Sequence, residues 1–134
     1  MKLSDHEKII KQKITDSRYD KAKEFKLRNP EIESEIYYLK ESQGGLSTFV
    51  YSGYRGTFYF EGQYNAAVQE FIGQVKCNQG ETVRTLMSFA VPEVQIGRLY
   101  EGLKFEITEG IKVVGRGEII KILRIDLNKT FVRS

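Results

Sequence analysis

Histidine and cysteine, two residue types that often act as catalytic base or nucleophile, each occur once in this 134-residue chain. His6 is the only histidine and Cys77 the only cysteine, so a Ser-His-Asp or Cys-His nucleophile would need one of them. Lys76 beside Cys77 predicts a slightly lowered thiol pKa, although a lone cysteine at a strand end is usually inert. The carboxylates of Glu106 and Glu109 are close in sequence, but nothing in the pattern makes them an acid–base pair. We therefore predict no catalytic residue and no metal site.

The glycines do not form a nucleotide-binding loop. The chain contains no Gly-x-x-x-x-Gly-Lys-Ser/Thr motif, so we expect neither bound GTP or ATP nor another cofactor. Gly115 and Gly117 flank Arg116 within a strand-forming segment. Paired glycines in such a segment more often mark a β-bulge than a phosphate site.

Aromatic rings are concentrated between residues 44 and 60, which read Gly-Gly-Leu-Ser-Thr-Phe-Val-Tyr-Ser-Gly-Tyr-Arg-Gly-Thr-Phe-Tyr-Phe. Such a run can stack on nucleic-acid bases when several rings are exposed with cations between them. Arg55 is its only cation, and Phe58 and Phe60 would share one face of a strand with Tyr59 on the other. We predict that the run is mainly hydrophobic core, and that Arg55 caps strand carbonyls or pairs with an acid.

The positive charge is concentrated near the N-terminus. Residues 1–28 contain nine Lys and Arg against five acidic residues, net +4, whereas the remainder is net −1. Such a segment can approach RNA or another polyanion, or its alternating charges can simply keep an exposed helix soluble. A capping box at residues 4–7 and a rough apolar stripe predict one bent helix or two short ones, ending at Asn29-Pro30. The apolar stripe consists of Ile10, Ile14, Ala22 and Phe25.

After Pro30 the pattern changes to short strands separated by glycine turns. The strand-forming segments are 33–40, 49–51, 57–60, 67–75, 83–91, 103–108 and 111–123. Residues 103–108 alternate cleanly, which predicts that Leu103, Phe105 and Ile107 lie on one face of a strand. Six or seven short antiparallel strands are typical of a small closed barrel, which leaves no strand edge exposed. We therefore predict a basic helical extension over residues 1–30, followed by a mainly β domain over residues 31–134, an antiparallel closed barrel of six or seven strands.

The composition is that of a folded protein, with 40% hydrophobic and 12% aromatic residues. No apolar run approaches the roughly 20 residues that span a bilayer. The N-terminus lacks the apolar core of a secretory signal, and a single cysteine requires no oxidising compartment. We therefore expect a cytoplasmic protein.

Two blocks of the sequence resemble the C-terminal, third domain of elongation factor Tu. The first block consists of Glu33-Ser-Glu-Ile-Tyr-Tyr-Leu-Lys40, Gly44-Gly45, Ser52-Gly-Tyr-Arg55 and Phe58-Tyr-Phe60. The family pattern there is an acidic strand, a Gly-Gly turn and Gly-Tyr-Arg-Pro-x-Phe-Tyr-Phe. The second block, residues 101–123, is similar to the family's closing hairpin, Gly-Leu-Arg-Phe-Ala-Ile-Arg-Glu-Gly-Gly-Arg-Thr-Val-Gly-Ala-Gly. The resemblance covers about residues 31–124, with both blocks in the family's order.

The resemblance implies a stand-alone, six-stranded antiparallel closed barrel without a GTPase domain, and hence a non-catalytic binding module. In the family this domain contacts the T-stem backbone of aminoacyl-tRNA and packs on the GTPase domain. Two family cations correspond here to Leu46 and to Val91 or Gln95, whereas Glu109-Gly110 is retained. Because phosphate binding scales with the number of cations, these replacements should remove most of the attraction to a tRNA backbone.

The expected partner is a protein or a structured RNA such as tRNA or ribosomal RNA, with no membrane involved. The alternative is a regulatory or immunity-type mimic of elongation factor Tu, which would bind its GTPase domain or a toxin. Arg98 and Tyr100 are residue types enriched in interface hot spots and lie in a loop longer than the family's, which could equally be a plain solvated connection. Lys121 continues the basic strand that begins at Lys112. The residues predicted to bind the partner are Lys8, Lys11, Arg18, Arg98, Tyr100, Glu109, Gly110, Lys112 and Arg116.

Overall fold

The computed structural model describes residues 17–132 of the chain. A helix, α1, occupies residues 17–24. The strands are β1 (Ile32–Tyr38), β2 (Val50–Tyr51), β3 (Arg55–Phe60), β4 (Gln63–Phe71), β5 (Lys76–Cys77), β6 (Thr82–Phe89), β7 (Lys104–Glu109) and β8 (Lys112–Ile122). Short 3₁₀ helices lie at Glu41–Gln43, Pro92–Gln95 and Ile125–Leu127. None of the helices in the described part of the chain is long and apolar enough to cross a membrane.

Six of the strands form a closed antiparallel barrel in the order β1-β6-β4-β3-β7-β8, and β8 pairs with β1 to close it. The predicted fold class is therefore confirmed. β2 and β5 pair with each other in a separate two-stranded sheet. This sheet lies at the end of the barrel where β1 ends and β3 begins, because β2 leads directly into β3.

The core fills the barrel through the alternation of inward and outward side chains. The face predicted to carry Leu103, just before β7, and Phe105 and Ile107 within it is buried. The Phe58 ring stacks on Phe105 with 4.4 Å between centroids and meets Phe89 edge-on at 5.0 Å. This aromatic cluster is the centre of the core, as predicted for part of the aromatic run.

The glycines of β8 accommodate the core and a change of register. Pairing between β7 and β8 shifts between Ile107 and Thr108, beside Gly115, which agrees with the predicted bulge. A Cβ atom added at Gly117 would lie 2.3 Å from the Phe105 ring. Position 117 is therefore glycine because the aromatic core leaves no space there.

Two predicted strands differ from those in the structure. Segment 49–51 contributes to β2, outside the barrel, and segment 67–75 is divided between β4 and the residues before β5. β4 begins at Gln63 because the two-residue loop Glu61-Gly62 reverses the chain directly after β3 and joins β3 and β4 in a hairpin. Both residues have positive φ, +45° and +79°, as tight hairpin turns require.

The N-terminal helix ends earlier than predicted. It stops at residue 24, whereas Asn29-Pro30 was the expected end. Residues 25–31 instead run along the outside of β4 and β6. The Leu27 amide donates a hydrogen bond to Glu70 Oε1 at 2.7 Å, and Ser88 Oγ donates to the Asn29 carbonyl at 3.2 Å. These contacts with the barrel replace the hydrogen bonds that further helical turns would form.

Candidate functional site

An open groove lies between α1 and the segment that contains β2. Its volume is about 680 Å³, within the range of ligand and peptide clefts. Its apolar lining combines Ala22 and Phe25 with Leu46, Phe49 and Tyr54. Because these side chains come from the N-terminal extension and from the barrel domain, both predicted parts of the chain build the groove.

The wall formed by the β2–β3 connection is held by backbone hydrogen bonds to β4 and to the residue before β5. The amides of Ser52 and Gly53 donate hydrogen bonds of 2.7 Å to the carbonyls of Val75 and Gln69. Gly53 adopts φ +99°, and a Cβ atom there would lie 3.4 Å from the Phe25 ring. The Phe25 ring therefore packs directly against this backbone and anchors the end of α1 at the groove.

The helix presents positive charge to the groove. Arg18 and Lys21 line it, together with Ala22. The spacing of three and four residues places these side chains on one face of α1. The acids of the helix, Asp20 and Glu24, are not among the residues that line the groove.

Glu109 also lines the groove. Its carboxylate accepts a 2.6 Å hydrogen bond from the Tyr54 hydroxyl. Burial, followed by the hydrogen bond to Glu109 and its negative charge, raises the pKa of Tyr54, so the phenol remains a donor. Lys112 faces Glu109 across the hairpin and donates through Nζ to the Gly45 carbonyl at 3.2 Å. Gly110, with φ +59°, forms the turn between them.

The structure brings together four of the predicted binding residues at this end of the barrel, Arg18, Glu109, Gly110 and Lys112. Arg98 and Tyr100 lie at the opposite end, since they precede the start of β7 whereas Glu109 is its last residue. Arg116 is exposed on the outer face of β8, between the two ends. Lys8 and Lys11 lie outside the described residues.

The loop that contains Arg98 is packed against the barrel. The Arg98 guanidinium donates to the Phe60 carbonyl and to Gln95 Oε1, each at 3.1 Å, and lies 5.5 Å from the Phe60 ring centroid. Leu99 is fully buried and bridges to Asn128. These internal contacts occupy the Arg98 guanidinium and show that the loop is packed against the barrel, not a plain solvated connection. A partner contact by Arg98 or Tyr100 stays a prediction.

The positions that correspond to the family cations are apolar or buried. Leu46 packs against the core and lines the groove. Val91 is 50% exposed, whereas the Gln95 side chain is fully buried. The groove is therefore apolar at the point where the resemblance would place a phosphate-binding cation.

The predicted lowering of the Cys77 pKa is wrong. Cys77 is buried, and burial, with a smaller contribution from the charge of Glu81, raises its pKa to about 11. The ammonium group of Lys76 lies over the Phe49 ring, 4.7 Å from its centroid. The Lys76 ammonium therefore contacts the residue before β2 and does not lower the pKa of the Cys77 thiol.

The carboxylates of Glu106 and Glu109 have different neighbours. Glu106 lies opposite Arg116 and Tyr59 in the sheet, whereas Glu109 accepts the bond from Tyr54. Among residues 17–132, no three His, Cys, Asp or Glu side chains are grouped to hold a metal ion. Arg55 is exposed, and within this range its guanidinium forms neither an ion pair nor a hydrogen bond to a strand carbonyl, so neither predicted role is found.

A second surface was missed from the sequence. Tyr59 and Tyr64, neighbours on β3 and β4, lie on the outer face with ring centroids 4.6 Å apart, and Tyr64 is 52% exposed. Tyr59 lines a shallow groove of about 350 Å³ with Lys104, Glu106 and Arg116 among its other residues. The cations come from β7 and β8, some 45 to 57 positions away in sequence, so the aromatic run alone did not reveal them.

The chain matches no model of a known protein family.

Proposed function

We propose that this chain is a non-catalytic binding module, related to translation, that resembles the third domain of elongation factor Tu and holds a protein partner in the groove beside α1. The observation that carries the proposal is the groove itself. It combines a volume of about 680 Å³ with an apolar lining and a wall fixed by backbone hydrogen bonds. Preformed apolar clefts of this kind bind partners at a low conformational cost.

A protein partner suits this groove better than an RNA backbone. The lining offers Phe25, Leu46 and Phe49 to apolar side chains. Among the described residues, its lining includes two cations and the Glu109 carboxylate, a net charge of only +1. Because RNA affinity depends mainly on the number of phosphates neutralised, such a surface favours burial of side chains over backbone contacts.

Blocking the groove tests the proposal. Thr48 is exposed and lines the groove, whereas its exposed neighbour Ser47 does not. We expect Thr48→Trp to abolish capture of protein partners from a nuclease-treated lysate, and Ser47→Trp, the matched control, to retain it. Circular dichroism should show the same fold for both variants. Equal capture by the two variants would remove the groove from consideration.

RNA binding is a second candidate function, favoured by the outer surface around Tyr59 and Tyr64. Two adjacent rings beside Lys104 and Arg116 have the elements of a stacking platform, although Glu106 reduces its positive potential. In titrations of tRNA and ribosomal RNA fragments, affinity should then fall steeply between low and moderate salt. It should also fall in Tyr64→Ala. A flat salt response would exclude this function.

The regulatory or immunity-type alternative is a special case of protein binding. The partner would then be the GTPase domain of elongation factor Tu, or a toxin directed at it. Titration of the purified GTPase domain against the wild-type chain and Thr48→Trp tests this directly. Saturable binding that Thr48→Trp weakens would support a mimic, whereas no binding would leave the general binding module.

A further inference from the structure

α1 separates its charges across its two sides. Arg18 and Lys21 line the groove, whereas Asp20 and Glu24 do not. All four side chains are exposed. Within residues 17–132, neither groove cation forms a salt bridge. The helix therefore adds positive charge to the groove without a matching acid on the same side.

The other cations of this segment have different surroundings. Lys23 and Lys26 do not line the groove but line an adjoining smaller cleft, next to Phe71. Lys26 Nζ lies 3.7 Å from Glu70 Oε2. Only part of the basic surplus of the segment is therefore directed at the groove, and that part is Arg18 with Lys21.

The acid that lines the groove is already engaged. Glu109 accepts the hydrogen bond from Tyr54 and faces Lys112 across the hairpin. A partner therefore meets a carboxylate that is already hydrogen-bonded and two cations that form no salt bridge within the described residues. Charge complementarity with such a surface selects for negative groups on the partner.

We infer, on the basis of the proposed function, that the groove receives an acidic amphipathic segment of a partner protein. Its apolar side chains would lie against Phe25, Leu46 and Phe49, and its Asp or Glu carboxylates would meet Arg18 and Lys21. Amphipathic segments bind apolar grooves in this manner. Residues 1–16 of the chain itself are less suited to this groove, because four lysines and three acids give them a net charge of +1.

In the experiment, the photo-crosslinking amino acid p-benzoylphenylalanine replaces Phe49 in the full chain. Irradiation in lysate and mass spectrometry then identify the crosslinked partner peptide. That peptide, and a version with Asp and Glu replaced by Asn and Gln, are synthesised and titrated against three proteins. These are the wild type, the double variant Arg18→Glu/Lys21→Glu, and the control Lys23→Glu/Arg28→Glu, which has the same change in net charge away from the groove.

We expect a partner peptide with net negative charge and apolar residues. Arg18→Glu/Lys21→Glu should weaken binding of the partner peptide by about tenfold or more at moderate salt. The control Lys23→Glu/Arg28→Glu should weaken it by no more than about threefold. The neutralised peptide should bind the wild type more weakly and lose no further affinity in the groove variant. Equal losses in the two double variants would mean general electrostatic attraction and would overturn the inference.

The outcomes also separate this inference from the proposed function. A neutral or basic partner peptide would overturn the inference while the groove remained a protein-binding site. Crosslinks only to RNA, only to residues 1–16 of the chain, or to nothing at all would overturn both. A crosslink to an acidic peptide that Thr48→Trp does not diminish would place the contact outside the groove and would also contradict both.

Discussion

Replacing Gly117 with alanine should destabilise the barrel, although alanine is ordinarily the better residue within a strand by about 0.5–1 kcal/mol. The added Cβ would lie 2.3 Å from Phe105 Cζ and 2.6 Å from Cε2. Non-bonded carbons prefer separations of about 3.5–4.0 Å, so the ring would have to move by more than an ångström. Phe105 is only 3% exposed and stacks on Phe58, so moving the ring would disturb this aromatic contact.

The size of the effect follows from these opposing contributions. Overpacking of a dense core costs about 1–3 kcal/mol, and the gain from replacing glycine offsets part of it. We expect a net loss of about 1–2 kcal/mol in the free energy of unfolding, or a fall of about 4–8 °C in Tm for a chain of this size. Thermal unfolding followed by circular dichroism measures it.

Two further variants identify the clash as the cause. Gly115→Ala is the control, because its Cβ would lie 3.2 Å from the Tyr37 carbonyl oxygen and should have a smaller effect. Phe105→Leu removes the ring, so its effect combined with Gly117→Ala should be smaller than the sum of the two single effects. A Gly117→Ala protein that melts at or above the wild-type Tm would refute the reasoning, as would strict additivity.

Three other predictions concern residues with unusual surroundings. Arg98→Ala should lower the free energy of unfolding by about 1–3 kcal/mol, because it removes charged hydrogen bonds to the Phe60 carbonyl and to Gln95. Arg98→Lys should be similarly destabilised, because an ammonium group does not reproduce the guanidinium geometry. An unchanged Tm would contradict a stabilising role for these hydrogen bonds. Burial raises the pKa of Cys77 to about 11 from a usual 9.0. The thiol should therefore react with iodoacetamide at pH 8 about 100-fold more slowly in the folded chain than in the denatured chain. Fast labelling of the folded protein would be inconsistent with the burial of Cys77. Burial raises the pKa of Glu31 above 4.5 despite its hydrogen bonds, so the folded state retains this proton to higher pH than the unfolded state. Its contribution to stability is therefore complete below pH 4.5 and is lost as pH rises through the folded-state pKa. Denaturant titrations between pH 4 and 7 should show this slope reduced in Glu31→Gln, and an identical slope in the variant would assign it to other groups.

The candidate site was only partly predictable. Arg18 and Glu109 were expected to bind a partner and do line one groove, whereas Lys21 and Phe49 were not identified. The helical pattern shows which residues of α1 share a face, but not which face meets the barrel. Arg98 was selected for its residue type, yet its guanidinium is occupied by the Phe60 and Gln95 oxygens. Such contacts depend on the folding of a loop whose sequence carries no periodic signal.

The sequence by itself determined the fold class, because strand alternation and glycine turns are properties of neighbouring residues. The inward positions of Leu103, Phe105 and Ile107 followed from a period of two, which any strand imposes. Only the tertiary structure decided which side chains meet across the barrel. The groove beside α1, the cations next to Tyr59 and the raised pKa of Cys77 each require segments distant in sequence to be brought into contact. Register, closure and burial set these contacts, and they are properties of the whole packed barrel.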